Sequence, residues 1–170
     1  MRVILFLGFL VAAAGLAAQP PGDAKLQQQL KRLFPAAASF SPKEGTPPHF
    51  KALTADGKTV LGYAFWTTEL EPLERAYDGP IKILVGMDGK GVLTGILVVE
   101  HHEPYGDFSI EPASFSNQFK GKSIRDPFKV GADIDAVSRA TISVTSASRA
   151  VRNSARRIAK AYLAPPEPPK

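Results

Sequence analysis

The pattern of apolar and polar residues predicts a sheet in the middle of this chain. Segments rich in β-branched and aromatic residues predict strands at 59–67, 81–87 and 92–100. A shorter run at 50–53 precedes the turn residues Asp56-Gly57 and predicts another strand. The last two long strands contain continuous apolar runs, I-L-V and I-L-V-V. Such runs indicate that the sheet is covered on at least one face.

Helical spacing of apolar residues marks both ends of the chain. Near the N-terminus, leucines 26, 30 and 33 share one face of a helix that Asp23 would cap and Pro35 would end. A second, long helix runs to about Leu163, and its apolar residues recur at spacings of four and seven: Ala147, Val151, Ile158 and Tyr162. Another stripe of this helix is basic: Arg149, Arg152, Arg156 and Lys160. We predict a solvated helix face there.

The predicted elements combine into an α+β fold. In it, a twisted, mainly antiparallel sheet packs against helices, and the C-terminal helix is long and basic. The connecting segments include a loop rich in small residues at 36–48, an irregular acidic stretch at 69–78 and a short helix within 115–120. We expect the acidic stretch, with Glu69, Glu71 and Glu74, to be solvated.

The first residues are typical of a secretory signal peptide. Arg2 precedes an apolar run over 3–16, and the small residues Ala17 and Ala18 follow it. This run is short for a bilayer span. We predict a signal peptide at 1–19 with cleavage between Ala17 and Gln19. An uncleaved N-terminal anchor is the alternative. The mature protein would then be periplasmic or lie on the outer face of the cytoplasmic membrane.

Composition excludes several kinds of site. The 170 residues include no cysteine, which excludes a lipoprotein anchor, disulfides, iron–sulfur clusters and c-type haem attachment. The net charge of +5 raises the possibility of nucleic-acid binding or of a cationic envelope or surface interaction protein. Export and the concentration of basic residues on one helix argue against nucleic acid, so we expect no such partner.

The segment Asp135–Ser143, D-A-V-S-R-A-T-I-S, offers a seat for a phosphate at the head of the long helix. A helix N-terminus carries free N–H groups and a partial positive charge, both favourable to an anion. Ser138 and Thr141 add hydroxyls, as do Ser143, Thr145 and Ser146 further on, and Arg139 can pair with a phosphate. Asp135 would repel one, so it is a backbone cap or part of what a modifying enzyme recognises. Ordinary helix capping by these hydroxyls is the alternative explanation.

A second candidate constellation follows the last strand. There the chain reads H-H-E-P-Y-G from His101 to Gly106. It can be a surface connection with a structural histidine pair. A metal site built from His101, His102, Glu103 and His49 is another hypothesis, although neighbouring residues of an extended strand point to opposite faces. Tyr63 and Trp66 of the first long strand are core or cofactor-wall candidates.

Together these two segments resemble the FMN-binding domain family. Asp135, Ser138, Ala140 and Thr141 fall where the family has its D-x-x-S/T-G-A-T motif, in which the threonine is esterified to the phosphate of FMN. The strand–turn–strand pattern over 83–100 and the H-H-E-P loop also match, in the family's order. Arg139 stands where the motif usually has glycine. We expect a backbone that is not left-handed at this position.

The resemblance implies what the chain binds and where. Thr141 would carry covalent FMN, and His102, Glu103, Pro104 and Gly106 would border the cofactor. The organisation would be an N-terminal helix and loop at 22–49, an FMN-binding domain at 50–163 and a Pro-rich, disordered tail at 164–170. The similarity is greatest to the exported flavin domain of the regulatory flavoproteins of nitrous oxide respiration. It is more distant to the flavin-carrying subunits of the Rnf complex and of the sodium-pumping NADH:quinone reductase.

The expected role is extracytoplasmic electron transfer rather than stand-alone catalysis. The implied partners are an FAD-dependent flavin transferase for maturation and a membrane redox protein for function. The relatives in nitrous oxide respiration continue into transmembrane helices and iron–sulfur modules. We expect a stand-alone flavin domain here, so that specific role does not follow. The alternative is an exported binding module of the same fold with non-covalent flavin or none.

Overall fold

The structure, a computed structural model, describes residues 21–163. The predicted signal peptide at 1–19 and the predicted tail at 164–170 lie outside the described residues. The elements in chain order are α1 (Pro21–Leu33), β1 (Ser39–Phe40), β2 (Phe50–Leu53), β3 (Val60–Trp66), α2 (Thr67–Leu70), β4 (Lys82–Asp88), β5 (Leu93–Glu100), α3 (Gly106–Ser109), α4 (Ala113–Asn117) and α5 (Thr141–Tyr162). Within this range, every helix is too short or too polar to span a lipid bilayer.

The sheet is an antiparallel meander in the order β1-β2-β3-β4-β5. Each strand pairs with its neighbour in the sequence, as short connections between antiparallel strands allow. The predicted α+β fold with an antiparallel sheet and a long C-terminal helix is confirmed. Two details differ from expectation: β1 forms within the predicted 36–48 loop, and α1 already includes Pro21, so Asp23 is not its N-cap.

Helices cover both faces of the sheet, which explains why β4 is apolar and buried at every position from Ile83 to Met87. Ile83, Val85 and Met87 point into a core cluster that includes the buried face of α5. Leu84 points to the opposite face, into a smaller cluster with residues of α1. A strand buried on both faces needs apolar residues at consecutive positions rather than alternating ones. The prediction that at least one face is covered is therefore confirmed.

The long helix α5 packs closely on this sheet because its inner face consists of small and β-branched side chains. The buried residues include Val144, Ala147, Val151, Ala155 and Ile158. At its C-terminal end, the Tyr162 hydroxyl donates to the Pro47 carbonyl (3.1 Å) and its ring stacks on Tyr63. The helix is thus held along its whole length, and the position of its first residue is fixed.

The basic stripe of α5 is largely exposed, as expected of a solvated helix face, but its arginines also bond neighbouring loops. Arg156 donates to the carbonyls of Ile124 (2.8 Å) and Asp126 (3.0 Å). Arg152 donates to the Pro127 carbonyl (3.4 Å). A guanidinium presents several donors in a planar fork, which suits it to joining a helix to neighbouring loops. These arginines therefore stabilise the fold.

Two glycines on neighbouring strands, Gly62 of β3 and Gly86 of β4, make room for Phe34, which directly follows α1. A Cβ atom on Gly62 would lie 2.7 Å from Phe34 Cε1, and one on Gly86 would lie 3.2 Å from Phe34 Cε2. The same Gly62 Cβ would lie 2.4 Å from the backbone oxygen of Met87. Because that oxygen belongs to the paired strand, it cannot move without disturbing the ladder.

We expect Gly62→Ala to lower the free energy of unfolding by about 1–3 kcal/mol, the range for overpacking a close-packed interior. The measurement is chemical denaturation followed by circular dichroism. Gly89→Ala is the matched control, because a Cβ at Gly89 meets nothing within 4 Å. It should stay within about 0.5 kcal/mol of wild type. Equal effects of the two substitutions would contradict the steric explanation.

Candidate functional site

Thr141 is the first residue of α5, and its side chain is exposed. The preceding N-cap residue is Ala140, which has no side chain able to bond the free N–H groups. Its carbonyl accepts the first intrahelical bond, from Val144 N–H (3.0 Å). The N–H groups of the three residues before Val144 have no acceptor within the helix. The N-terminus of a 22-residue helix is thus left open beside an exposed hydroxyl.

Arg139 has a backbone φ of +69°, in the left-handed region. The expectation that arginine would exclude this conformation is therefore wrong. The conformation lets the Ala140 N–H donate to the Val137 carbonyl (3.1 Å), which turns the chain into α5. Glycine adopts this region without steric penalty, whereas an L side chain is destabilised there by about 1–2 kcal/mol. The chain thus keeps at Arg139 the backbone shape that a glycine would favour.

The other motif residues precede the helix. Ser138 is exposed and Ala140 is buried at 2% exposure. Asp135 is exposed, and its N–H donates to Gln118 Oε1 (2.7 Å). Since Ala140 is the N-cap and no side-chain capping bond is present there, Asp135 does not cap α5. The other interpretation of Asp135, as part of what a modifying enzyme recognises, stays a prediction.

A cavity of about 470 Å³ opens directly beside Thr141. Pockets of about 300–1,000 Å³ are typical of small-molecule and cofactor sites. Three chain segments supply its walls, and the lining residues are Tyr77, Pro104, Tyr105, Arg139, Ala140, Thr141, Ile142 and Ser143. Tyr77, Tyr105 and Ile142 are exposed large apolar residues, at 70%, 44% and 58% exposure. The cavity therefore combines an aromatic and aliphatic wall with a helix N-terminus.

Glu103 lies behind the cavity wall rather than in it. Its side chain is buried, and its carboxylate accepts hydrogen bonds from the Asp78 N–H (2.8 Å), the Tyr77 N–H (3.2 Å) and the Ser143 hydroxyl. Buried polar groups are stable only when they are hydrogen-bonded. The buried Glu103 carboxylate is thus fully hydrogen-bonded, and its donors come from two segments that are far from it in the sequence.

The two histidines of this loop have different surroundings. The His101 ring accepts from the Glu103 N–H at Nδ1 (3.1 Å) and contacts Glu111 through Nε2 (2.8 Å). It lies against Gly106, where a Cβ atom would be 2.1 Å from the ring. His101 and Gly106 therefore brace the loop. His102 is exposed and is not among the residues that line the cavity, so its predicted place at the cofactor stays a prediction.

Glu74 anchors the segment that carries Tyr77. Its carboxylate accepts two bonds from the Arg149 guanidinium, both 2.7 Å, and one from the Ser146 hydroxyl (2.8 Å). The hydrogen bonds from Arg149 are the largest cause of a lowered Glu74 pKa, although burial opposes them. The prediction of a solvated acidic stretch is therefore wrong for Glu74. The hydroxyls of Ser143 and Ser146, expected to face a phosphate, point instead to Glu103 and Glu74.

Sequence reasoning missed the aromatic wall. Tyr63 packs with His49 and Tyr162, and Trp66 packs on the α1 side of the sheet, so neither lines the cavity. Tyr77 lies in a segment without periodicity, and only its position in a turn-forming Y-D-G-P run marks it.

The residues of the hypothetical metal site have separate surroundings. His49 is buried between Tyr63 and Tyr162, whereas His101 contacts Glu111. Glu103 directs its carboxylate to backbone and hydroxyl donors. The structure therefore does not bring these side chains together around one point.

Known proteins are similar to this chain over the region that contains the site. The FMN-binding domain family matches residues 76–156, which include every residue lining the cavity. Regulatory protein NosR of Pseudomonas aeruginosa is 30% identical over 165 residues, 90% of this chain and 23% of that protein. A component of the ion-translocating oxidoreductase complex of Yersinia pestis, its G subunit, is 31% identical over 118 residues, 64% of this chain and 54% of that relative. This chain thus spans less than a quarter of the NosR protein and about half of the Yersinia relative.

We expect Arg139→Gly to raise the free energy of unfolding by about 0.5–1 kcal/mol, because glycine removes the strain of the positive φ. Arg139→Ala is the control, since it removes the guanidinium and keeps a Cβ in the left-handed region. It should not stabilise the protein. Chemical denaturation compares the three proteins. An equal increase in the free energy of unfolding in both variants would mean that the gain comes from removing the Arg139 side chain and not from relieving backbone strain.

The Glu74–Arg149 pair gives a pH dependence of defined sign. Because the folded-state pKa of Glu74 is below its ordinary value of 4.5, the pair stabilises the fold above about that pH. This contribution is lost as the pH falls through the folded-state pKa. Glu74→Gln should therefore be less stable than wild type at pH 7, by about 1 kcal/mol since Arg149 is half exposed.

Below pH 4.5 the difference between Glu74→Gln and wild type should shrink. Thermal unfolding from about pH 3 to pH 7 measures it. Glu100→Gln is the control, because Glu100 is exposed and lies 3.8 Å from Lys82 in a loose ion pair. A pH-independent difference for Glu74→Gln would show that the ion pair is not its source.

Proposed function

We propose that this chain carries FMN, joined by a phosphoester to Thr141, because its residues 76–156 match the FMN-binding domain family. The observation that supports this most directly is the position of Thr141. Its exposed hydroxyl begins an uncapped helix and faces a cavity with an aromatic wall. A phosphate attached there would have free backbone N–H groups and the positive end of the helix dipole beside it.

The residues present fit both halves of the cofactor. At the phosphate, Arg139 and the open helix end supply positive charge for the one negative charge that a phosphodiester keeps. At the ring, the apolar surfaces of Tyr77, Pro104 and Tyr105 suit a flat aromatic system. Bound FMN supplies one-electron and two-electron redox chemistry, while the protein orients it and sets its surroundings. The covalent bond would retain a cofactor that could otherwise dissociate and be lost outside the cytoplasm.

Maturation then requires a partner enzyme of the FAD-dependent flavin transferase type. In that reaction the Thr141 oxygen forms a bond to the phosphorus of the FMN half of FAD and gives up its proton. The bond between the two phosphates breaks, and AMP leaves. The exposed side chains of Ser138 and Asp135 lie where such an enzyme can contact them before the helix begins.

We assign the electron-transfer role to the outer side of the cytoplasmic membrane. The support is the apolar start of the chain, which has the layout of a signal peptide. A membrane redox protein is the proposed partner, since one relative is named as a component of an ion-translocating oxidoreductase complex. The alternative function is an exported module that holds flavin without a covalent bond or holds none.

We expect the chain, exported together with a flavin transferase, to gain one FMN with loss of water in its intact mass. The fluorescence should stay with the denatured band, because the bond is covalent. Thr141→Ala should abolish both, whereas Thr141→Ser keeps a hydroxyl and should retain part of the labelling. The same mass spectrum gives the N-terminus, predicted to start between Ala17 and Gln19.

Ser138→Ala is the matched control, since it removes a nearby exposed hydroxyl and leaves Thr141 intact. It should retain covalent flavin. Labelled Thr141→Ala would refute the assignment of the site. Flavin that leaves on denaturation would favour the non-covalent alternative, and an unlabelled wild-type chain beside a labelled family member would refute the covalent proposal.

A further inference from the structure

We propose that Glu103 is a positioning residue that joins the three walls of the cavity, and that Tyr77 closes over the flavin as a result. This rests on the proposed function for the identity of the ligand. We call the three hydrogen bonds that the Glu103 carboxylate accepts the joint. The joint is a property of the protein chain and can be tested without flavin. The family resemblance predicts that Glu103 borders the cofactor. In the structure, however, the Glu103 carboxylate bonds backbone and hydroxyl groups behind the cavity wall.

The Glu103 carboxylate connects three chain segments. Oε1 accepts from the Asp78 N–H, and Oε2 accepts from the Tyr77 N–H and the Ser143 hydroxyl. Glu103 itself precedes Pro104 and Tyr105. One side chain therefore links the Tyr77 segment, the loop with Tyr105 and the first turn of α5. Those three elements, with the turn that leads into α5, supply all the residues that line the cavity.

This linkage fixes the backbone of Tyr77 and leaves its ring exposed. The Tyr77 N–H bonds Glu103, and three residues earlier Glu74 is held by Ser146 and Arg149. The Ala76 N–H also donates to the Gly79 carbonyl (2.8 Å), which closes a bend around Tyr77. The Tyr77 ring is nevertheless 70% exposed. A ring that is exposed on a fixed backbone can pack against a ligand at little cost in ordering.

The joint needs a carboxylate rather than an amide. Three donors converge on Glu103, and a carboxylate has only acceptors to offer them. In Glu103→Gln one oxygen becomes an NH₂ group, which places a donor against a donor. A buried N–H that loses its partner carries a penalty large enough to open the contact. The substitution is close to isosteric, so the fold itself should persist.

The flavin-free test is amide hydrogen exchange in the Thr141→Ala background, which lacks the attachment hydroxyl. We expect the amides of Tyr77 and Asp78 to exchange at least about tenfold faster in Glu103→Gln than in the protein with Glu103. This factor follows from the usual free-energy penalty of a buried N–H donor that has lost its acceptor. Glu111→Gln is the control, because this carboxylate contacts His101 on the outer side of the loop. It should leave both amides protected. Unchanged exchange in Glu103→Gln would overturn the joint.

Ser143→Ala provides a milder variant, since it removes one donor and leaves both backbone bonds. We expect exchange at Tyr77 and Asp78 between the wild-type and Glu103→Gln rates. If Glu103→Gln proves unfolded by circular dichroism, this variant decides the question, and wild-type exchange in it overturns the joint.

The flavin-loaded test is quenching of flavin fluorescence by iodide. Glu103→Gln and Tyr77→Ala should keep covalent FMN but raise the quenching constant by about twofold or more, because the ring loses a wall. Tyr77→Ala should leave the Asp78 amide protected, which separates the wall from the joint. An unchanged quenching constant in Tyr77→Ala would overturn the closing role of Tyr77. Absence of flavin from wild type would refute the proposed function instead, while the exchange test would still decide on the joint.

Discussion

The position of Thr141 depends on the packing of α5 across the sheet. Small and β-branched residues such as Ala147 and Val151 let the helix approach β4 closely. Each large apolar side chain buried there contributes about 1.5–3 kcal/mol relative to exposure. Because the helix is also tied at Tyr162, it cannot slide along its axis. Its N-terminus is consequently fixed at the edge of the fold, where the cavity lies.

The sheet and the long helix were predictable because their signals are local. A continuous apolar run predicts a strand buried on both faces, and β4 has that environment. The four-residue and seven-residue spacing from Ala147 to Ile158 marks the buried face of α5. The two-residue strand β1 was missed, since it exists only through its pairing with Ala52 and Leu53. A segment this short has no periodicity of its own.

The walls of the site were less predictable, because they depend on contacts between distant segments. Glu74 meets Ser146 across 72 positions, and Glu103 meets Ser143 across 40. A local pattern of acidic residues indicates a solvated surface unless the guanidinium and hydroxyl that face it are known. The Tyr77 N–H likewise bonds Glu103, which is 26 positions away in the sequence. In contrast, Thr141 and Ala140 were identified by local spacing and by resemblance to a family motif.

The hydroxyl side chains at the start of α5 have different surroundings. Of the two hydroxyls in the first turn, Ser143 points inward to a carboxylate, whereas Thr141 is exposed. The N-cap position just before them is alanine, although a capping side chain would stabilise the helix by about 1 kcal/mol. Arg139 adds the strain of a left-handed backbone at the same turn. Strain and missing caps concentrate where another requirement overrides stability. An anion on Thr141 would meet that requirement, since it supplies the acceptor that Ala140 lacks.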